Sequence, residues 1–303
     1  MLKEKIRNAV LSAASSSFIN KGDINFDQNI EGLQYFFEPN AGSVQEYSPE
    51  WLGHTSVNTI NDDTLNETKD YSTEKPKDAY RIVTIGDSFV FGHFVDTADN
   101  WTEVLERALN RSVSCEGVSN FEVINLGQFG YDASYMVARY FKRGEKYAPD
   151  TIVWLLNPWN LENISEYYLP LVKKLEQGKN NSGEGDLDMV AVVDVALANL
   201  KQKYGDQVGM RFHRPFLDKF FSEVDAEVLL FNTHTYQKAQ EEYLNNFLAK
   251  DPQRYRSKFL VNLEKAPGLK FEDGHPNQEG HQKLAEEVLQ ELLGKELKTC
   301  VIN

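Results

Sequence analysis

Three residues of types that can act together on an ester lie in two distant parts of the chain. Ser88 directly follows an apolar run and Gly86-Asp87, while Asp273 and His275 lie two residues apart near the other end. A serine hydroxyl is a poor nucleophile until a histidine accepts its proton, and that histidine needs a carboxylate to fix its tautomer and stabilise its cation. The pattern indicates attack on a carbonyl carbon, with Ser88 as nucleophile, His275 as general base and Asp273 as the orienting acid.

The choice of base and acid rests on local context. Among six histidines, His275 is the one that has both a carboxylate two residues before it and a turn-making proline after it. Glu272, three residues before His275, is the alternative to Asp273. His281 falls in the predicted last helix, where we expect it to pack or to cap. His234 follows a predicted strand and is expected to line the crevice.

The apolar pattern predicts the elements that position these residues. Five segments are nearly continuous in apolar residues, which is typical of parallel strands covered on both faces. These predicted strands are residues 81–85, 121–126, 151–156, 227–232 and 258–263. Helices are predicted at residues 101–109, 131–147, 189–204, 237–248 and 277–293. Alternating strands and helices predict the α/β class, and Ser88 stands at the carboxyl end of the first strand, where such sheets bind ligands.

Four segments resemble, in order, the motif blocks of the SGNH (GDSL) hydrolase family. They are GDSF at Ser88, NLGQFG from Asn125 to Gly130, LLNPWN ending at Asn160, and DGHPNQEGH from Asp273. The similarity spans about residues 79–293. It implies a flavodoxin-like three-layer α/β/α sandwich with a five-stranded parallel sheet. It also implies an ester-cleaving serine hydrolase that needs no metal and no organic cofactor.

The resemblance further implies an oxyanion hole with three hydrogen-bond donors. Two are the backbone N–H groups of Ser88 and Gly130, and the third is an asparagine side chain of the third block. The simplest alignment places Trp159 at that position, so the amide would come from Asn160 or, alternatively, Asn157. A third possibility is that no side chain donates, which would cost rate without abolishing the chemistry. Gly127 is expected to be a turn residue that needs freedom in φ.

We expect three residues beside these blocks to bind the substrate. They are Asp87, Trp159 and His93. His93 follows the first strand closely enough to line the same crevice as Ser88.

Composition excludes several classes of protein. The formal net charge of −14 argues against a nucleic-acid binder, since recognition of phosphate backbones starts from clustered Lys and Arg. Cys115 and Cys300 are far apart, so we predict free thiols and no disulfide. No apolar run reaches the length of about 18 residues that spans a bilayer. The sequence as given predicts a cytoplasmic protein, exported only if a signal segment has been removed.

The chain divides into two predicted parts. Residues 1–78 form an N-terminal appendage, packed on the core through its aromatic residues, with an amphipathic helix at 2–18. Residues 79–303 form the hydrolase domain with a helical insertion at about 161–224. Within the insertion, residues 176–188 are too polar to order themselves and are predicted to be a mobile loop.

The leading interpretation is a serine ester hydrolase that forms an acyl-enzyme. Its expected substrate is a small-molecule or glycan ester, with an acetyl or short acyl group on a carbohydrate preferred by analogy with the family. Two other functions stay open. One is an acyltransferase that uses the same triad, and the other is a non-catalytic SGNH-like binding module, which the altered third block suggests.

Overall fold

The computed structural model describes residues 33–171 and 189–302. Within these ranges the strands are, in chain order, β1 (Val44–Tyr47), β2 (Ser56–Thr59), β3 (Ala79–Ile85), β4 (Val113–Ser114), β5 (Asn120–Asn125), β6 (Thr151–Leu155), β7 (Glu227–Asn232), β8 (Tyr255–Phe259) and β9 (Val301–Ile302). The helices are α1 (Ser88–Phe91), α2 (Trp101–Ser112), α3 (Ala133–Arg139), α4 (Pro158–Glu162), α5 (Met189–Tyr204), α6 (Val208–Glu223), α7 (Lys238–Leu248) and α8 (Gln278–Gly294). Residues 165–171 are also helical.

The central sheet contains five parallel strands in the order β5-β3-β6-β7-β8. This is the order of flavodoxin-like folds, in which the chain first winds one way and then the other. The reversal falls between β3 and β6, and ligands bind at the carboxyl ends of the strands beside this point. The predicted five-stranded parallel sheet is confirmed, and the chain enters α1 with Ser88 directly beyond β3.

Helices cover both faces of the sheet. On one face, Tyr135 of α3 and Phe220 of α6 pack in the same cluster as Trp154 of β6. On the other face, Leu105 of α2 and Val288 of α8 pack in a second cluster with residues of β3, β6 and β7. The sheet lies between two helical layers, so the predicted three-layer α/β/α sandwich is confirmed.

Two predicted elements differ from the structure. The last strand of the sheet is Tyr255–Phe259, not residues 258–263. Leu260 and Leu263 are buried in a loop and a short 3-10 helix, so their apolar character reflects burial and not strand pairing. The helix predicted at 131–147 is α-helical only to Arg139 and continues as a π turn and a 3-10 turn, with Gly144 packed against the side chain of Leu126.

The described part of the N-terminal segment contacts the core through a partly buried ion cluster. Glu38 pairs with Arg139 (3.0 Å), Arg143 (2.9 Å) and Lys142 (2.5 Å). Partial burial raises the pKa of Glu38, but the hydrogen bonds from Arg143 and Lys142 outweigh it and lower the pKa to about 2. The side chain of Arg139 is fully buried and also donates to the carbonyl oxygen of Leu126, at the end of β5. The segment is therefore fixed to the strand that leads into the second motif block.

The two cysteines form a disulfide, so the prediction of free thiols is wrong. Cys115 and Cys300 are bonded across a sequence separation of 185 residues. The cause is the antiparallel pairing of β4 with β9, which brings the residues flanking both short strands together. Disulfides form and persist in oxidising compartments, and the location of the protein stays a prediction.

Some predictions receive no test from the structure. The helix at 2–18 and the loop at 176–188 lie outside the described residues, and the domain boundary at 78/79 stays a prediction. Among the residues that are described, no helix is long and apolar enough to cross a membrane.

Candidate active site

The nucleophile candidate sits at the start of a single helical turn. Asp87 is the N-cap of α1, and its Oδ1 accepts a hydrogen bond from the backbone N–H of Phe89 (3.0 Å). Asp and Asn are favoured at this position because their side chains satisfy N–H groups that the first turn leaves unpaired. Ser88 is thereby placed at the carboxyl edge of the sheet, between the loops that follow β5 and β6.

The three predicted triad residues meet in one hydrogen-bonded chain. His275 Nε2 lies 2.8 Å from Ser88 Oγ, and His275 Nδ1 lies 2.7 Å from Asp273 Oδ2. The other carboxylate oxygen of Asp273 accepts the backbone N–H of His275 (3.1 Å), which fixes the acid relative to the ring. A neutral imidazole in this chain donates from Nδ1 and can accept the serine proton at Nε2.

The structure gives the orienting position to Asp273. Partial burial raises its pKa, but the hydrogen bonds and the charge of His275 outweigh burial and leave the pKa below its ordinary value. Asp273 is therefore ionised at neutral pH and can stabilise an imidazolium. Glu272 is exposed and makes no hydrogen bond with a described residue, so the geometry gives no support to this alternative.

Asp87 is buried and links two loops of the site. Its side chain is buried, and Oδ2 accepts hydrogen bonds from Trp159 Nε1 (2.8 Å) and Asn160 Nδ2 (2.9 Å). Both carboxylate oxygens thus already have protein donors. The carboxylate of Asp87 ties the turn that carries Ser88 to the third block, and its expected contact with substrate stays a prediction.

Asn160, the expected oxyanion donor, bonds within the protein, and its role in the oxyanion hole stays a prediction. Its amide nitrogen donates to Asp87 and to the carbonyl oxygen of Tyr131 (3.1 Å), which uses both of its hydrogens. Its Oδ1 accepts the backbone N–H of Asn157 (2.7 Å). Asn160 therefore links three loops of the site and has no amide hydrogen left for a substrate oxygen.

The alternative residue, Asn157, is fully buried. Its Oδ1 accepts from the backbone N–H and the hydroxyl of Thr233, both at 3.0 Å. Its Nδ2 is buried and has no hydrogen-bond partner among the described residues. Asn157 thereby joins the loops after β6 and β7, and no contact places its amide against Ser88.

Two backbone N–H groups stay available for an oxyanion. Those of Ser88 and Gly130 donate to no residue that the structure describes. Gly127, in contrast, donates its N–H to Asn125 Oδ1 (2.8 Å). Its φ is not positive, so the expected need for freedom in φ is wrong. A Cβ at Gly127 would collide with the backbone N of Phe91, and close approach is the reason for glycine here.

Aromatic rings surround the catalytic imidazole. The rings of Phe89, His93 and Phe94 each lie 5.4 Å from that of His275, measured between centroids. Beyond Phe89, Trp159 packs edge to face on His234 at 4.7 Å. His93 thus lies beside His275, and Trp159 and His234 both pack on Phe89. The contacts of these three residues with substrate stay predictions.

His93 is uncharged at neutral pH. Burial, and the neighbouring His275, lower its pKa to about 3. A positive charge on His93 would oppose protonation of His275. Burial keeps His93 neutral and so avoids this repulsion. His281 has the packing role expected for it, since it is fully buried and its Nδ1 accepts the backbone N–H of Trp101 (3.2 Å).

The N-terminal hairpin of β1 and β2 contributes aromatic contacts at the site that its sequence does not reveal. Tyr47 of β1 packs on His93 at 4.5 Å, and Trp51 packs on Phe94 at 4.9 Å. Phe94 has φ of 71°, which is rare for a bulky residue and marks local strain. The aromatic residues of this segment were the available signal, since they predicted docking on the core. The position of the docking, beside the triad, was not predictable.

The fold and the site together define an α/β protein with a Ser-His-Asp triad at the carboxyl edge of its sheet. No protein-family model and no curated protein matches the chain. Among the described residues, no group of three His, Cys, Asp or Glu side chains could hold a metal ion.

Several solved structures resemble this one loosely. One is described as TesA, with 16% identity and a TM-score of 0.38 over 70% of this chain and 98% of that one. Another is the psychrotrophic esterase EstA from Pseudoalteromonas sp., with 14% identity and a TM-score of 0.41 over 72% and 98%. A third is CEX, a two-domain esterase active on acetylated mannans, with 14% identity and a TM-score of 0.44 over 72% and 49%.

Proposed function

We propose that the protein is a serine ester hydrolase of the SGNH type that works through an acyl-enzyme. The observation that carries the proposal is the chain of hydrogen bonds from Ser88 Oγ to His275 (2.8 Å) and from His275 to Asp273 (2.7 Å). A nucleophile, a base and an orienting acid within hydrogen-bond reach are the requirements for acyl transfer.

Each group has a defined part in the proposed reaction. As Ser88 Oγ attacks the ester carbonyl carbon, His275 Nε2 takes the hydroxyl proton, and Asp273 stabilises the imidazolium through Nδ1–H. His275 then gives this proton to the departing alcohol, leaving the acyl group on Ser88. Water, deprotonated by the same imidazole, releases the acid and restores the serine.

The oxyanion that forms in both steps would be bound by backbone groups. The N–H groups of Ser88 and Gly130 are the proposed donors, since both lack acceptors among the described residues. Each such donor contributes roughly 3 kcal/mol to the transition state. The reaction uses only groups of the chain and water.

We propose a short acyl ester, preferably an acetyl ester on a carbohydrate, as the substrate. The rings of Phe89, Phe94 and His93 pack around His275, so the imidazole beside the reacting serine has aromatic surroundings. Such surroundings suit a compact acyl group and the apolar face of a sugar ring. The net charge of −14 disfavours an anionic polymer as the alcohol part.

A chain-length series tests this proposal. We expect p-nitrophenyl acetate to be hydrolysed with a higher kcat/KM than the butyrate and octanoate esters, and Ser88→Ala to remove turnover. A preference for octanoate would contradict the short acyl group. Acyl transfer to an added sugar in place of water would make the protein an acyltransferase. Absence of any acyl release would favour a binding module.

A further inference from the structure

The helical turn that carries Ser88 ends in buried carbonyl groups that it cannot satisfy itself. The last carbonyls of every α-helix lack intrahelical donors, and α1 has only four residues. Val90, Phe91 and Gly92 are buried here, so water does not replace the missing donors. The donors must come from elsewhere in the chain.

Two of the donors are asparagines of the central fold. Asn100 Nδ2 donates to the carbonyl oxygens of Val90 (3.0 Å) and Phe91 (2.8 Å). Asn125 Nδ2 donates to the oxygen of Val90 (3.0 Å). A Cβ at Gly92, whose φ is 85°, would collide with the Asn100 amide, so the turn and this asparagine fit closely.

The other two donors come from the N-terminal segment. Asn66 Nδ2 donates to the oxygen of Phe91 (2.6 Å). Asn58 Nδ2 donates to the oxygen of Val95 (2.9 Å) and, at 3.4 Å, to that of Gly92. Both asparagine side chains are fully buried. A buried amide that aims its NH₂ at a carbonyl holds that carbonyl in place, because a lost partner leaves an unpaired polar group.

The orientation of the Asn66 amide is fixed by its neighbours. Thr97 Oγ1 accepts the backbone N–H of Thr59 (2.7 Å), so its own hydrogen is free to donate to Asn66 Oδ1 (2.5 Å). With Oδ1 held by a donor, Nδ2 must face Phe91. The adjacent Glu67 accepts the backbone N–H of Asn125 (2.6 Å), which ties the same segment to the second motif block.

We propose that Asn58 and Asn66 are positioning residues for the nucleophile. The carbonyl oxygen of Ser88 accepts the N–H groups of Gly92 (3.0 Å) and His93 (3.1 Å), so a shift of Phe91 or Gly92 moves the serine. The two asparagines donate hydrogen bonds to carbonyl oxygens of this turn and of Val95, and thereby keep Ser88 Oγ within hydrogen-bond distance of His275. The N-terminal segment is thus part of the catalytic apparatus. The expected loss of catalytic rate rests on the proposed function. The expected loosening of the turn does not.

The test compares Asn66→Ala and Asn58→Ala with Asn61→Ala. Asn61 lies between Asn58 and Asn66 along the chain, but the hydrogen bonds of its side chain to described residues all stay within the N-terminal segment, at Asp63, Leu65 and Lys69. The first readout is hydrogen exchange of the Gly92 and His93 amides, which needs no activity. We expect exchange to accelerate about tenfold in the two test variants and to stay unchanged in the control, since local opening follows the loss of local hydrogen bonds.

The second readout is hydrolysis of p-nitrophenyl acetate. Both test variants should lose about tenfold to a hundredfold in kcat, with KM within about twofold, because the serine is displaced while the walls of the crevice stay. If Asn66→Ala does not fold, Asn58→Ala, whose hydrogen bonds are longer, carries the test.

The outcomes separate the two proposals. Unchanged exchange at Gly92 and His93, or an equal effect of Asn61→Ala, would overturn the positioning role. Faster exchange together with an inactive wild type would contradict the ester hydrolase and leave the positioning of the turn standing.

Discussion

Substitution of Asp273 and of Glu272 distinguishes which carboxylate orients His275. Asp273→Asn should lower kcat by roughly ten-thousandfold, since an amide no longer fixes the tautomer of His275 or stabilises its cation. Glu272→Gln, at an exposed carboxylate with no hydrogen bond to the described residues, should stay within about twofold of wild type. Steady-state kinetics on a short ester gives both values. A larger loss in Glu272→Gln would show that the other carboxylate orients the base.

Asn160 gives a second prediction for single residues. Asn160→Ala leaves Asp87 and the Tyr131 carbonyl short of donors in a buried site, which should lower the free energy of unfolding by about 2 kcal/mol. Because three loops loosen, kcat and KM should change together. Urea unfolding and kinetics measure both effects, with the exposed Asn245→Ala as control.

The opposite pattern would restore the role expected from the sequence. A pure loss in kcat of roughly a hundredfold, without a change in KM or stability, is the signature of an oxyanion donor. Such a result would require the Asn160 amide to leave Asp87 when substrate binds.

Among the elements, the short strands β4 and β9 pair far from the catalytic residues, and the disulfide joins the cysteines that flank them. Helix α2 starts near the nucleophile loop and ends at Ser112, and its 12 residues span about 18 Å. Replacing Cys115 and Cys300 by serine should lower the free energy of unfolding by up to about 5 kcal/mol, given the long loop that the bond closes. The kcat of the folded variant should match that of wild type.

Thiol titration and urea unfolding test this prediction. Two free thiols in the unreduced wild type would show that the bond is not formed. A large loss of kcat in a folded double variant would show that the β4/β9 pair supports the site.

The elements of the central sheet were predictable because they are covered on both faces. β7 was predicted at its observed bounds, and β6 within one residue. Tyr255 begins β8 outside the predicted range because an edge strand carries a weaker apolar signal, while the buried loop after it carries a stronger one. Burial, and not pairing, is what the apolar pattern reports.

The triad was predictable for a different reason. Each of its residues lies in a short sequence block whose residue types indicate the reaction. The disulfide, and the contacts of Asn58 and Asn66 with the turn after Ser88, join residues that are far apart in the chain. A single sequence does not show which distant residues are in contact. The same holds for Asn160, whose partners Asp87 and Tyr131 belong to two other loops.

At the scale of the whole molecule, buried histidines predict a loss of stability in acid. His281 and His213 are fully buried, and burial lowers the pKa of both, that of His281 to about 3. Between the unfolded pKa of about 6.5 and the folded pKa, the unfolded chain binds more protons. The free energy of unfolding should therefore fall with falling pH by about 1.4 kcal/mol per pH unit for each such group.

Urea unfolding at pH 7, 6, 5 and 4 measures this slope. Glu38, whose folded pKa is about 2, should add to the loss below the unfolded carboxylate value of about 4.3. In His281→Asn the free energy of unfolding should change less steeply between pH 6 and 4, by about 1.4 kcal/mol per pH unit, because one buried histidine is gone. An equal slope in the variant and the wild type would show that His281 is not held neutral.

The central claim is that His275 and Asp273 activate Ser88 as a nucleophile. A fluorophosphonate probe reacts with such a serine and leaves its phosphonyl group on Oγ, where peptide mass spectrometry locates it. We predict that wild type is labelled to one group per chain on the peptide that contains Ser88, that Asp273→Asn is labelled far more slowly, and that Ser88→Ala is not labelled. Labelling of Ser88→Ala at the wild-type rate, or no labelling of wild type, would contradict the assignment.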